Sequence, residues 1–170
     1  LIADEGLRPL ADESQGETLF TGELMDLPRA EVQPVAPSPS SLFILLYTSG
    51  STGIPKGCQL EHGNLVAFCH WYQSYYGLHA GDKVAAYASF GFDASMMDMY
   101  PALTCGATVC IIPEEIRLDL MALNEYLEQN GVTHSFMTTQ VGYQFATSIE
   151  NRSLRHLSTG GEKLVSLAPP

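Results

Sequence analysis

Leu42-Phe43-Ile44-Leu45-Leu46 runs directly into Tyr47-Thr48-Ser49-Gly50-Ser51-Thr52-Gly53-Ile54-Pro55-Lys56-Gly57, and the contrast between the two halves decides how the chain is read. A short, unbroken apolar run ahead of turn residues reads as a buried strand. What it delivers is polar: three glycines, four Ser/Thr hydroxyls and one lysine. Glycines let backbone N–H groups come close to an anion, while the hydroxyls and the ammonium add donors. These are the parts of a polyphosphate cradle. The spacing is not G-x-x-x-x-G-K-S/T, because Gly57 follows Lys56. The alternative is a flexible Gly/Ser turn, although a linker needs neither a strand before it nor a lysine after proline.

Downstream, the pattern alternates. Leu65, Phe68, Cys69, Tyr72 and Tyr76 have helical spacing over residues 64–76, with Gly77 where the helix should stop. Residues 84–88 read as a strand and 93–104 as a helix, which Pro101 should bend or confine to short pieces. A strand over 107–112 follows. Asp119 then caps a helix that ends near Gly131, with Leu120, Leu123 and Leu127 on one face. Residues 132–137 read as a strand, 139–149 as a helix and 154–158 as a last strand before Gly160-Gly161. Strand and helix alternating at this interval build a mostly parallel sheet with helices on both faces, a three-layer α/β domain. Ligands of such sheets bind at the carboxyl ends of the strands. The segments after Tyr47, after Ala88 and after Ser158 should all fall there.

The segment before the first strand reads differently. Residues 1–3 look like the end of a strand, and residues 4–31 hold eight of the 19 carboxylates with little periodicity. Pro34, Pro37 and Pro39 then interleave with small residues. Residues 1–41 are therefore read as a partial strand plus an acidic, Pro-rich approach segment, and 42–170 as the α/β subdomain. An acidic interaction tail is the other reading of the first part.

At 170 residues the chain can bury a real core. A net charge of −11 with only eight scattered Lys and Arg excludes a nucleic-acid partner. No apolar run approaches the roughly 20 residues that cross a bilayer, and no signal-peptide pattern opens the chain, so a soluble cytoplasmic protein is expected. The four cysteines and five histidines show no metal-ligand spacing, and neither a metal site nor a disulfide is expected.

Two further motifs follow strands. Phe92-Asp93-Ala94-Ser95 sits at a strand-to-helix junction, where an aspartate is ordinarily an N-cap. Gly160-Gly161-Glu162 alone is a common turn. With TSGSTGIPKG at 48–57, however, the three occur in an order that closely resembles the adenylate-forming superfamily of acyl-CoA synthetases, luciferases and the adenylation domains of nonribosomal peptide synthetases. The F-D-x-S motif resembles the amino-acid-activating branch. There the aspartate holds the substrate's α-ammonium, for which a carboxylate is the natural partner.

The resemblance implies a flavodoxin-like layout and an enzyme that joins an amino acid to ATP, giving aminoacyl-AMP and pyrophosphate, with Mg²⁺ assisting. The aminoacyl group then passes to the phosphopantetheine thiol of a carrier domain. It implies that Thr48, Ser49, Gly50, Ser51, Thr52, Gly53 and Lys56 hold the phosphates, and that Gly160, Gly161 and Glu162 lie beside adenine and the activated acyl group. It further implies that Phe92, Asp93, Ala94, Met97, Gln140, Leu157 and Thr159 form part of the amino-acid pocket. Relatives continue beyond the equivalent of Pro170 with further catalytic groups. The chain is thus expected to be a fragment that neither catalyses the reaction alone nor binds a cofactor tightly, and whose exposed cut faces drive self-association. An acyl-CoA synthetase or fatty-acid ligase fragment, or a non-catalytic nucleotide-binding module, are the alternatives.

Overall fold

The computed structural model describes residues 2–13, 16–28, 33–48 and 53–164, and divides the chain into two compact units, Leu1–Ala36 and Pro37–Pro170. In the first unit, β1 (Ile2–Ala3) pairs in parallel with β2 (Leu19–Phe20). Between them lie a 3-10 turn at Glu5–Leu7, capped by the Asp4 carboxylate, and α1 (Arg8–Ala11). Ala3, Ala11 and Phe20 form a small core, with the Arg8 guanidinium over the Phe20 ring at 3.9 Å. The described part of residues 2–26 thus carries short local elements. Asp4 caps the first turn, and Glu5 pairs within it with Arg8 at 2.7 Å.

In the second unit, β3 (Leu42–Thr48) and β4 (Lys56–Glu61) form an antiparallel pair, with Thr48 opposite Lys56. β4 is absent from the sequence reading: Lys-Gly-Cys-Gln has no strand pattern, and pairing with β3 makes it one. Nor is β3 the buried strand its apolar run suggests. Leu42 is 55% and Tyr47 68% exposed, because the pair stands outside the main sheet and has only one covered face among the described residues.

The main sheet contains β5 (Lys83–Ala86), β6 (Thr108–Ile111), β7 (His134–Thr138) and β8 (His156–Gly160), all parallel and in spatial order β6-β5-β7-β8. The expected α/β class is thus observed. Helices α2 (His62–Tyr76) and α3 (Ala94–Cys105) cover one face, where Tyr72, Leu78, Val84, Ala102 and Ala107 pack together. Helices α4 (Leu120–Asn130) and α5 (Thr139–Ser148) cover the other, where Leu123, Leu127 and Phe145 meet Ala85, Tyr87, Ile112 and Met137. None of the described helices is long and apolar enough to cross a membrane.

The helix ends follow local chemistry. Gly77 and Gly131 adopt left-handed φ of 63° and 64° and stop α2 and α4, as their positions predict. Asp119 accepts the amides of Met121 and Ala122, both at 3.1 Å, and starts α4. Pro101 departs from expectation, because α3 runs through it unbroken. The ring is fully buried, and the Pro101 carbonyl accepts Nε2 of Gln73 on α2 at 2.8 Å, so packing between the two helices holds the turn that proline weakens.

Candidate functional site

The chain runs from β5 outward to β6 and then returns across β5 to β7, which makes the carboxyl ends of β5 and β7 the point where strand order reverses. A crevice is expected at such a point. A cavity of about 530 Å³ opens there, and its walls include Ser89, Phe92, Asp93 and Ala94 from the β5 side and Thr138, Gly160, Gly161 and Glu162 from the ends of β7 and β8. Two motifs 66 residues apart in sequence, from Ala94 to Gly160, thus share one cavity.

Asp93 is the common element of three such spaces. A second cavity, of about 570 Å³, joins it to Tyr47, Thr48 and Cys58 of the strand pair. A third, of about 250 Å³ and nearly all apolar, joins it to Phe43, Leu60, Phe68, Met96 and Met97. The N-cap role that an aspartate ordinarily takes here is not used. Asp93 has helical dihedrals, φ −58° and ψ −31°, and its side chain makes no capping bond. The exposed carboxylate is left facing the cavities, and the first turn closes on the Phe92 carbonyl, which accepts the Ser95 amide at 3.1 Å and hydroxyl at 2.7 Å.

The two ends of the polar loop are held together by the strand pair, where the Thr48 hydroxyl meets the Lys56 carbonyl at 3.5 Å. Lys56 is exposed, and no described carboxylate forms an ion pair with it. Gly53 takes a left-handed φ of 78°. Ser49, Gly50, Ser51 and Thr52 lie outside the described residues.

At the other edge, the turn after β8 is tied to α5: the Thr139 hydroxyl accepts the Glu162 amide at 3.2 Å and lies 3.3 Å from the Glu162 carbonyl. Gly161 has φ 101°, and a Cβ there would meet nothing within 4 Å, so the backbone is open to a flat group on that side. Of the other sequence-derived residues, Met97 lines the apolar cavity, and Gln140 is exposed in the first turn of α5 and lines none of the three. Leu157 and Thr159 also line none of them. Leu157 packs into the α4–α5 core and Thr159 lies against Gly142 of α5, whereas Ser158, on the opposite face of the strand, puts its hydroxyl 3.4 Å from that of Tyr76.

The sequence reading missed two charged groups near this centre. Arg117 lines the cavity shared by residues 92–94 and 160–162, pairs with Glu114 at 3.1 Å, and has a buried Nε without a described partner. Asp98, 2% exposed, accepts the backbone amides of Tyr87 and Ala88. Burial pushes its carboxyl up to about 7, against the opposing pull of those two amides and of Arg117. The available signal was a lone carboxylate inside the apolar helical run Met96-Met97-Asp98-Met99.

These features define a doubly wound α/β domain with a crevice at the switch point. The chain belongs to the AMP-binding enzyme family, which residues 2–167 match. It is 50% identical over 124 residues to surfactin synthase subunit 2 of Bacillus subtilis (strain 168), covering 73% of this chain and 3% of the synthase. It is 40% identical over 161 residues to bacitracin synthase 1 of Bacillus licheniformis, covering 92% and 3%. Against an L-proline–[L-prolyl-carrier protein] ligase of Pseudomonas fluorescens it is 40% identical over 109 residues, covering 64% and 22%. The chain therefore spans a small part of the relatives it matches. The fold is shared with the solved structure of McyG A-PCP complexed with phenylalanyl-adenylate, at a TM-score of 0.79 and 18% identity, over 96% of this chain and 28% of that one.

Proposed function

We propose that this chain is the part of an amino-acid-activating enzyme that holds the leaving pyrophosphate and the substrate ammonium. The observation that carries the reading is Asp93: a carboxylate released from capping duty, at the meeting point of a cavity reaching Gly160–Glu162 and another reaching Thr48. An ammonium bound to it in a partly closed cavity gains a charge-assisted hydrogen bond of about 1.5–3 kcal/mol. Fatty acids offer no such group. The names of the relatives, peptide synthases and a prolyl-carrier-protein ligase, support the same reading.

In this scheme the amino-acid carboxylate oxygen attacks the α-phosphorus of ATP, the bond to the bridging oxygen breaks, and pyrophosphate leaves with the electron pair. Lys56, Thr48 and the loop residues 49–53 hold the β- and γ-phosphates, so that two anions can meet. Mg²⁺ supplies further neutralisation of the polyphosphate, and no described residue is assigned to hold it. Asp93, Phe92 and Ala94 orient the substrate's amino end, and Met97 borders the space for its side chain. Gly161 offers open backbone to adenine, with Gly160 before it against the Phe136 ring and Glu162 beside the new mixed anhydride. A carrier-domain phosphopantetheine thiol then attacks the acyl carbon, forming a thioester and releasing AMP.

The test is ATP–pyrophosphate exchange by the full-length protein that carries this chain, across a panel of amino acids and fatty acids. Exchange dependent on an amino acid is expected. Exchange supported only by fatty acids would overturn the assignment.

A further inference from the structure

The strand β5 ends at Ala86, yet the chain does not wander from there: the next two amides, those of Tyr87 and Ala88, are both taken by one oxygen of Asp98, at 3.0 and 2.8 Å. Asp98 is the only charged residue of α3 and lies about 1.4 turns beyond Asp93, the residue at which the helix begins. Between these anchors the chain makes a closed circuit. The Phe92 amide bonds the Ser89 carbonyl at 3.0 Å, the Met96 amide bonds the Asp93 carbonyl at 2.9 Å, and the Ser95 hydroxyl closes on the Phe92 carbonyl. Asp93 stands in the middle of that circuit.

We infer that Asp98 is a positioning residue for substrate recognition: by pinning the backbone at residues 87–88 to α3, it fixes where Asp93 and the cavity mouth stand relative to the sheet. Asp98 itself lines none of the three cavities. Its action runs through the main chain. Without it, two buried amides lose their acceptor and the backbone at 87–88 loses its tie to α3, leaving the strand end held by side-chain packing and by the Tyr87 hydroxyl, which donates to the Arg117 carbonyl at 3.0 Å. Burying a carboxylate beside an apolar helix pair is costly, and a core that needed only filling would be served by leucine. The carboxylate is retained where two amides leave the sheet ladder and the candidate ammonium-binding residue follows five and six positions later.

The inference rests on the reading of Asp93 given above, and the experiment separates the two. Amino-acid and ATP kinetics of exchange are measured for the full-length wild type, Asp98→Ala and Asp98→Asn, with hydrogen exchange at the Tyr87 and Ala88 amides as an independent readout. In Asp98→Ala, kcat/KM for the amino acid should fall by about 10²-fold, the cost of roughly 1 Å of misplacement, while KM for ATP moves less than about threefold. Both amides should lose protection. Asp98→Asn keeps an acceptor oxygen and should restore most of the amino-acid kinetics and the protection. Should Asp98→Ala fail to fold, Asp98→Ser, whose hydroxyl is too short to serve both amides, gives the same comparison. Lost protection with unchanged amino-acid kinetics would overturn the role of Asp98 alone. Equal losses for ATP and amino acid would reduce it to general stability and overturn it as well. A wild type that activates no amino acid would overturn the reading of Asp93 and this inference with it.

Discussion

Asp82 and Arg155, 73 residues apart, form an ion pair that reaches from the start of β5 to the start of β8 across the intervening strand β7. Asp82 is 2% exposed, while the Arg155 side chain is 47% exposed. The same carboxylate accepts the Thr133 hydroxyl at 3.0 Å and the His79 amide at 3.0 Å. It therefore ties together three strand entries at the end of the sheet opposite the crevice.

Removing that carboxylate should loosen the whole sheet. Asp82→Ala is expected to cost about 3 kcal/mol of stability, and Arg155→Ala about 1 kcal/mol because the remaining donors still satisfy Asp82. Urea denaturation of the two variants checks the order. Burial raises the Asp82 pKa, but the His79 amide, Thr133, Arg155 and His134 together bring it below the usual carboxylate range. Its contribution is present above its unfolded pKa and is lost as pH falls through the folded value, so the gap between wild type and Asp82→Ala should close in acid.

Asp98 should behave in the opposite sense. Its folded carboxyl sits at about 7, above the ordinary 3.8, so the folded state holds a proton that the unfolded chain has released. Stability should therefore fall as pH rises from about 4 to about 7 and level off above, by a limit on the order of 4 kcal/mol. Burial is the dominant influence on it, opposed by the Tyr87 and Ala88 amides and by Arg117, all of which favour the charged form. Asp98→Asn should remove that slope, which denaturation midpoints at pH 5 and pH 8 would reveal. A slope of equal size in the variant would refute the assignment to Asp98.

Gly142 is required by a close approach of helix to strand. A Cβ there would collide with Cγ2 of Thr159 and stand 3.2 Å from its Cβ. Gly142→Ala should destabilise by about 1–3 kcal/mol despite the gain in helix propensity. Adding Thr159→Ser, which removes the offending methyl, should recover part of the loss, and non-additivity in the double mutant is the signature to look for.

Asp93→Ala in the full-length protein should abolish amino-acid-dependent exchange and leave ATP affinity within about twofold, since the lost hydrogen bond acts on the ammonium alone. Lys56→Ala should do the reverse, weakening ATP by about tenfold or more while sparing amino-acid binding. Isothermal titration of each ligand separates the two, and a fall in ATP affinity for Asp93→Ala equal to that for Lys56→Ala would sink the division of labour.

What could be read from the sequence was what depends on neighbours in the chain. Gly77, Gly131 and Asp119 mark helix ends by chemistry contained within a few residues, and all three stand where expected. The alternation that placed residues 92–94 and 160–162 at strand ends is equally local, and the crevice followed from it. The missed features depend on distant partners. Lys56–Glu61 is a strand only because β3 lies beside it. Pro101 stays within a helix because Gln73 and burial support it. On β8 the alternation of faces puts Leu157 toward the core and Ser158 toward Tyr76, and nothing in the sequence states which parity meets a cavity.

Among the described residues, the strand pair that carries Thr48 and Lys56 shares no hydrogen-bonded ladder with the main sheet, whose β5–α3 connection carries Asp93. What spans the gap includes Phe43, set edge-on to Tyr100 of α3 at 5.1 Å and to His62 of α2 at 5.3 Å. Ring contacts yield more readily than a ladder of amides. The distance between the two proposed anchors is thus tunable, and on the proposed reading adaptation to a bulkier acid would proceed through residues such as Phe43 and Tyr100, without altering Lys56 or Asp93.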